Sequence, residues 1–226
     1  VDEKEVDMVG GIYAITGGRG GDPCLIAASI HLAWKGGADA VQIREKSASQ
    51  DWLRQLGSFL IGPRSGKLII NGDIMARWPW DLLKPDGLHF GVANARNLQM
   101  WPARSRHMGG GQQVPWIWSA HSAVEAAEAF DRGASAVTVS PIYETESHPG
   151  SSAGGLGLLR QTVSACGDRP VIALGGIRLG RLAECRQIGA AGVAMIGAVF
   201  GTPDPETSVR QLCEEWNAAV GLRPSS

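Results

Sequence analysis

Short apolar runs rich in β-branched residues recur along the chain, each followed by a stretch whose apolar positions carry helical or loop spacing. The runs are Ile12–Ile15, Ala40–Ile43, Lys67–Ile70, Gly87–Phe90, Trp116–Ser119, Ala136–Val139, Val171–Leu174 and Gly192–Ile196. Helical patterns cover Pro23–Lys35, Gln50–Ile61, Ser122–Arg132, Gly155–Cys166, Leu179–Ile188 and Pro205–Ala219. Strands alternating with helices form parallel crossover units, and eight such strands predict closure into a (β/α)8 TIM barrel, an α/β fold. Three helix-to-strand connections share one phrase: Gly36-Gly37-Ala38-Asp39-Ala40, Gly133-Ala134-Ser135-Ala136 and Gly189-Ala190-Ala191-Gly192-Val193. Glycine there ends a helix in left-handed backbone, and small residues feed the next strand. No linker or composition shift interrupts the series, so one domain is expected over residues 1–226. Two stretches break the pattern. Pro79, between Trp78 and Trp80, should kink or end a helix within 77–84, and Gly109-Gly110-Gly111 marks 104–113 as a flexible loop.

A barrel needs roughly 200 residues or more, so 226 residues leave room only for short loops. Formal net charge is −1, and Lys and Arg do not run in blocks. That excludes the electrostatic footprint of a nucleic-acid or anionic-membrane partner, and any anion site must be a local cluster. No segment is long and apolar enough to span a bilayer. The acidic start lacks a basic-then-apolar signal pattern, so a cytoplasmic protein is expected. Cys24, Cys166, Cys185 and Cys213 are widely spaced, without a C-x-x-C pair, and read as buried free thiols in a reducing compartment. The eight tryptophans read as packing between helices and barrel rather than as a stacking platform.

In this architecture chemistry sits at the C-terminal ends of the strands. The second strand runs out through Gln42-Ile43-Arg44-Glu45-Lys46. Alternation puts Gln42, Arg44 and Lys46 on one face, a fork suited to a phosphate or diphosphate. The alternative is a rim salt bridge of Arg44 or Lys46 with Glu45. Strands seven and eight run out through Gly175-Gly176 and Ile196-Gly197, where bare backbone N–H groups can approach an anion. The stretch from Ser140 to Gly150 carries Thr145, Ser147 and His148 and could close over a ligand or be a plain surface loop. The fifth strand adds Ser119 and His121, and the third adds Asn71 and Asp73.

These phrases together resemble the thiamine phosphate synthase/TenI superfamily, from Tyr13-Ala14-Ile15-Thr16 to Phe200. The matching motifs are Gly37-Ala38-Asp39-Ala40-Val41-Gln42-Ile43-Arg44-Glu45-Lys46, Leu68-Ile69-Ile70-Asn71, Gly87-Leu88-His89-Phe90-Gly91, Ser119-Ala120-His121-Ser122, Ser140-Pro141-Ile142-Tyr143 and Val171-Ile172-Ala173-Leu174-Gly175-Gly176-Ile177. The resemblance implies an enzyme of thiamine biosynthesis. Its synthase branch joins a hydroxymethylpyrimidine diphosphate to a thiazole phosphate and releases diphosphate with Mg²⁺. By resemblance, Gln42, Arg44, Lys46 and Asn71 hold the pyrimidine diphosphate, and Ser119 lies near the pyrimidine. Thr145 and Ser147 face the thiazole, while Gly176, Ile196 and Gly197 hold its phosphate.

Synthases carry Asn-Asp after the third strand and Gly-Gln-Glu-Asp after the fourth, where this chain reads Asn71-Gly72-Asp73 and Gly91-Val92-Ala93-Asn94. Asp73, one position along, is the carboxylate left for a metal. Asn71-Gly72, Glu144-Thr145 and Ser119-Ala120-His121-Ser122 are similar to the TenI-like thiazole tautomerases instead, and tilt the expectation toward that branch. Aromatising a thiazole carboxylate phosphate needs an acid/base near neutral pKa. Pro141 stands where those enzymes carry a histidine, so His121 or His148 would take the role, with Lys46 beside them. The divergent synthase is the alternative, and a ligand-sensing relative without catalysis is a second one. The expected partners are small phosphorylated thiazole and pyrimidine diphosphate molecules, and a homodimer is an open assembly.

Overall fold

The computed structural model describes residues 10–18, 20–99, 114–144 and 153–219. The strands are β1 (Gly11–Ile15), β2 (Ala40–Ile43), β3 (Lys67–Asn71), β4 (Gly87–Phe90), β5 (Trp116–Ala120), β6 (Ala136–Val139), β7 (Val171–Leu174) and β8 (Gly192–Met195). They pair in sequence order, all parallel, and β8 closes the barrel onto β1 through Gly11↔Gly192 and Tyr13↔Ala194. The helices are α1 (Pro23–Lys35), α2 (Gln50–Phe59), α3 (Ala123–Asp131), α4 (Gly155–Cys166), α5 (Leu182–Ile188), the single turn α6 (Gly197–Phe200) and α7 (Pro205–Ala218). The eight-stranded barrel expected from the pattern is the fold observed.

Local chemistry sets the boundaries. Asp22 caps α1 by accepting from Cys24 N at 2.8 Å, with Pro23 in the first turn, and Ser49, Ser122 and Asp204 cap α2, α3 and α7 in the same way. The shared connection phrase does what its glycines imply: Gly37, Gly133 and Gly189 have φ of 105°, 93° and 103°. Helix α5 begins at Leu182 rather than Leu179, because Gly180 at φ 83° breaks the backbone just before it. Helix α2 stops at Phe59, two residues early, and Ile196 leaves β8 to cap the turn α6. Between β3 and β4 no α-helix forms for Pro79 to kink or end, in place of the helix expected within 77–84. A 3₁₀ turn over Met75–Arg77 and a tight Trp78–Leu83 turn fill the gap. A further 3₁₀ turn over Val92–Asn94 follows β4. The loop expected over 104–113 lies outside the described residues.

Alternation along each strand sorts side chains into two cores. Outward-facing Ile12, Ala14, Val41, Ile43, Leu68, Ile70, Leu88, Phe90 and Val193 pack under the helices. Inward-facing Tyr13, Ile15, Ala40, Ile69, Ile117, Ala136, Ile172 and Ala194 fill the barrel. Trp34, Trp78 and Trp216 are buried, and Trp52, Trp80, Trp116 and Trp118 pack against the outer core, the shell role expected of them. The described cysteines are free thiols; Cys166 and Cys185 are buried, whereas Cys24 is exposed. Cys24 and the half-buried Cys213 depart from the buried reading, and Cys24 does so because it sits in the first turn of α1 beside its exposed cap. No helix among the described residues is long and apolar enough to cross a membrane.

Gly36, at the end of α1, lies against the first turns of α7. A Cβ there would lie 2.5 Å from Glu206 O and 2.9 Å from Val209 Cβ. Its φ of −69° suits any residue, so the constraint is purely steric. Gly36→Ala should therefore cost about 1–3 kcal/mol, the usual range for overpacking, read as a lower midpoint in urea unfolding. An unchanged midpoint would mean that α7 shifts freely.

Candidate functional site

The inward positions at the C-terminal ends of the strands divide into two arcs. Strands β2 to β6 contribute polar residues: Gln42, Asn71, His89, Ser119 and Thr138. Strands β7, β8 and β1 contribute apolar ones, Leu174, Ile196 and Ile15. The floor of the polar arc is a hydrogen-bonded chain. Gln42 Nε2 donates to the Tyr13 hydroxyl at 3.0 Å, and Tyr13 lies 3.1 Å from His89 Nδ1. His89 Nε2 is 2.9 Å from Ser119 Oγ and 3.3 Å from Thr138 Oγ1. Since Gln42 donates to Tyr13, the phenol proton points to Nδ1, and Nε2 carries the ring proton toward Ser119. Ser119 Oγ can then donate into the mouth. Burial drives His89 down to about 3, with the Arg44 charge adding to it, so the ring stays neutral. Burial likewise pushes the Tyr13 phenol well above its ordinary value.

Above this floor lies a cationic cluster. The face predicted for Gln42, Arg44 and Lys46 forms, but Lys46 pairs with Asp73 rather than Glu45: Nζ is 2.7 Å from Oδ2. Glu45 is buried and accepts from Gly18 N and Gly20 N at 3.1 Å each, which pins the loop after β1. Arg44 N donates to Thr16 Oγ1 at 2.8 Å. Arg77 donates to Lys46 O at 2.8 Å, to Asp73 O at 3.3 Å and to Ala48 O, tying the ends of β2 and β3 together. Asn94 Nδ2 donates to Asp73 Oδ1 at 3.0 Å, and Asn71 Oδ1 accepts from Asp73 N at 3.0 Å. Burial pushes the Asp73 carboxyl up, but Lys46, Asn94 and Arg44 together hold it below its ordinary value.

The apolar arc ends in bare backbone. Ile142 N donates to Leu174 O at 2.9 Å and Tyr143 N to Gly175 O at 3.0 Å, joining the loop after β6 to the one after β7. Gly175 and Gly176 sit at φ 97° and 63°, and a Cβ on Gly176 would lie 2.5 Å from Glu144 O. Arg181 stacks its guanidinium 4.3 Å from the Tyr143 ring centre and donates to Gly176 O at 2.6 Å. The Tyr143 hydroxyl donates to Glu184 Oε2 at 2.6 Å, and burial with that carboxylate raises its pKa. Gly197 opens α6 with free space where a side chain would be.

The structure thus gathers Gln42, Arg44, Lys46, Asn71, Asp73 and Ser119 on the polar arc, with Gly176, Ile196 and Gly197 on the other side. His121 is exposed at the end of β5, and its Nδ1 lies 2.9 Å from Ser140 O. Thr145, Ser147 and His148 lie outside the described residues. Asp73, the metal candidate, has both oxygens engaged by Lys46 and Asn94, and no three Asp, Glu, His or Cys gather as ligands among the described residues. Among the described residues the arrangement therefore does not fit a divalent metal. Sequence reasoning missed Tyr13, His89, Thr138, Arg77 and Asn94. A cavity of about 880 Å³ opens at the opposite end of the barrel, lined by Asp39, Arg64, Lys67 and Asp86, and contains none of the expected residues.

The family model described as thiamine monophosphate synthase matches residues 12–199. A thiamine-phosphate synthase of Methanoregula boonei is 34% identical over 217 residues, 92% of this chain and 94% of the relative. One of Roseiflexus castenholzii is 31% identical over 208 residues, 90% and 86% of the two chains. Among solved structures, a thiamine phosphate pyrophosphorylase of Pyrococcus furiosus superposes with a TM-score of 0.75 at 23% identity, covering 96% of this chain and 99% of the other.

The buried His89 has a consequence for stability. Below an unfolded-state pKa near 6.5, the unfolded chain takes up a proton that the folded ring refuses until about pH 3. Stability should then fall with pH through that window, by about 2 kcal/mol between pH 7 and 5 from this group. Urea midpoints of the wild type and His89→Gln at both pH values check this. Parallel pH slopes would mean that His89 titrates as an ordinary histidine.

Proposed function

The chain belongs to the thiamine monophosphate synthase family, and from that premise we propose that it is a thiamine-phosphate synthase, joining a hydroxymethylpyrimidine diphosphate to a thiazole phosphate. The observation that carries this reading is the cationic polar arc facing a bare-backbone arc across one barrel mouth. Two anionic groups can be held apart there by two different means. In the reaction the methylene C–O bond to diphosphate breaks, the diphosphate leaves with the electron pair, and the thiazole nitrogen lone pair forms the new C–N bond. Arg44 and Lys46 stabilise the charge that develops on the departing diphosphate, and Asn71 orients it. Ser119, fixed as a donor by His89, and the carbonyl oxygen of Gln42 orient the pyrimidine. Backbone N–H groups around Gly176 and Gly197 hold the thiazole phosphate, with Ile196 against its ring. Mg²⁺ serves this reaction in the synthase branch, whereas here both Asp73 oxygens are engaged by Lys46 and Asn94.

His89 is unsuited to shuttle a proton near neutrality, which favours substitution over tautomerisation among the described groups. A TenI-like tautomerase is the second reading, favoured by His121. With Nδ1–H donating to Ser140 O, its Nε2 is left as a proton acceptor. Both readings make the protein an enzyme acting on small phosphorylated substrates.

Purified protein incubated with the pyrimidine diphosphate and the thiazole phosphate, or its carboxylate, should yield thiamine phosphate by mass spectrometry. Arg44→Met should lower kcat by about a hundredfold or more, as expected when a charge-stabilising donor is removed. Isomerised thiazole carboxylate without condensation, lost in His121→Ala, would replace the first reading with the second.

A further inference from the structure

A departing diphosphate needs concentrated positive charge, and carboxylates ordinarily bring a divalent cation to supply it. Here the carboxylate at the end of β3 has another use. Lys46 Nζ sits 2.7 Å from Asp73 Oδ2, so a divalent cation would meet an ammonium already seated on the oxygen it needs. The other oxygen, Oδ1, is held by the Asn94 amide at 3.0 Å, and Asn94 is itself buried and fixed by accepting from Gly91 N at 2.8 Å. A second carboxylate cannot simply be added beside it. A Cβ on Gly72 would lie 2.6 Å from Phe90 Cδ1 and 2.9 Å from the Asn94 amide. Asn94 therefore fills the space that a side chain at 72 would need.

The ammonium is meanwhile held in place from below. Arg77 grips the main-chain carbonyls of Lys46 and Asp73, so the two partners cannot drift apart with their strand ends. Lys46 spends one of its three donors on Asp73 and keeps two for a ligand. Arg44, Lys46 and Arg77 set three cations against two carboxylates, Asp73 and the buried, loop-bound Glu45. We propose that the Lys46–Asp73–Asn94 triad, with Arg44, takes the place of a divalent cation, so that this mouth binds a diphosphate group without metal. The proposal rests on the reading of the polar arc as the diphosphate half of the site.

Calorimetric titration of the full chain with inorganic pyrophosphate tests it, once in EDTA and once with Mg²⁺. Binding should occur in EDTA with a Kd within about threefold of that in Mg²⁺, and Lys46→Met should weaken it by about tenfold or more. Asn94→Asp sets a second carboxylate beside Asp73. It should make pyrophosphate binding depend on Mg²⁺ by about tenfold, with circular dichroism verifying that the variant is folded. Wild-type binding at least about tenfold tighter in Mg²⁺ than in EDTA would overturn the triad while leaving the diphosphate reading intact. No binding in either buffer would overturn that reading, and the triad with it.

Discussion

The phenol of Tyr13 is closed off from water inside the barrel, and the arrangement of the mouth follows from what that requires. A buried hydroxyl left without partners costs several times what a satisfied one contributes. Room for the ring comes from its strand neighbours: Tyr13 is level with Ala40 on β2 and Ala194 on β8. Its hydroxyl then takes the Gln42 amide on one side and His89 on the other. Because each link uses a donor that the next must accept, the direction of the chain is fixed from Gln42 to Ser119. A core-filling residue thereby decides which way a site hydroxyl points.

Charge makes the next layer, and it acts on the first. Arg44 stands close enough to His89 to add to the burial that keeps the ring neutral, so the cations at the mouth protect the tautomer beneath them. Glu45, one residue on, faces away and anchors the loop after β1 through Gly18 and Gly20. Strand alternation thus separates a mouth-facing cation from a loop-holding anion at adjacent positions. Arg77 donates to three main-chain oxygens, those of Lys46, Ala48 and Asp73. It works on backbone carbonyls and keeps the ends of β2 and β3 in fixed relation.

The barrel was legible because parallel strands buried on both faces read as short apolar runs, and glycine-led connections punctuate them. Four of the eight strand boundaries coincide with the runs, and the rest differ by one residue at one end. The β3–β4 connection was less legible, since 3₁₀ turns carry little periodicity. Gln42, Arg44, Lys46, Asn71 and Ser119 could be read because they stand at or past strand ends. His89 was hidden inside Gly87–Phe90, which reads as core. The available signal was alternation: a histidine between Leu88 and Phe90, both outward, must face the interior. Asn94 reaches Asp73 from 21 residues away and Arg77 reaches the Ala48 and Lys46 carbonyls from 29 and 31, separations that no local pattern encodes.

In the proposed synthase the two arcs would hold anions by means that tolerate change differently. On the polar arc affinity resides in side chains, so a substitution there alters charge and leaves the backbone in place. On the other arc it resides in backbone shape. Gly176 takes a left-handed φ of 63° with the loop after β6 packed directly against it, and Arg181 clamps its carbonyl while covering Tyr143. Any side chain at 176 would have to displace Glu144 O and Tyr143 together. Glu184 holds the Tyr143 hydroxyl from behind, so the clasp is closed on three sides. This half of the mouth is therefore specified by packing over β6, β7 and α5 rather than by its own charges. In the proposed synthase the polar arc could then vary in charge while the backbone proposed to receive the thiazole phosphate kept its shape.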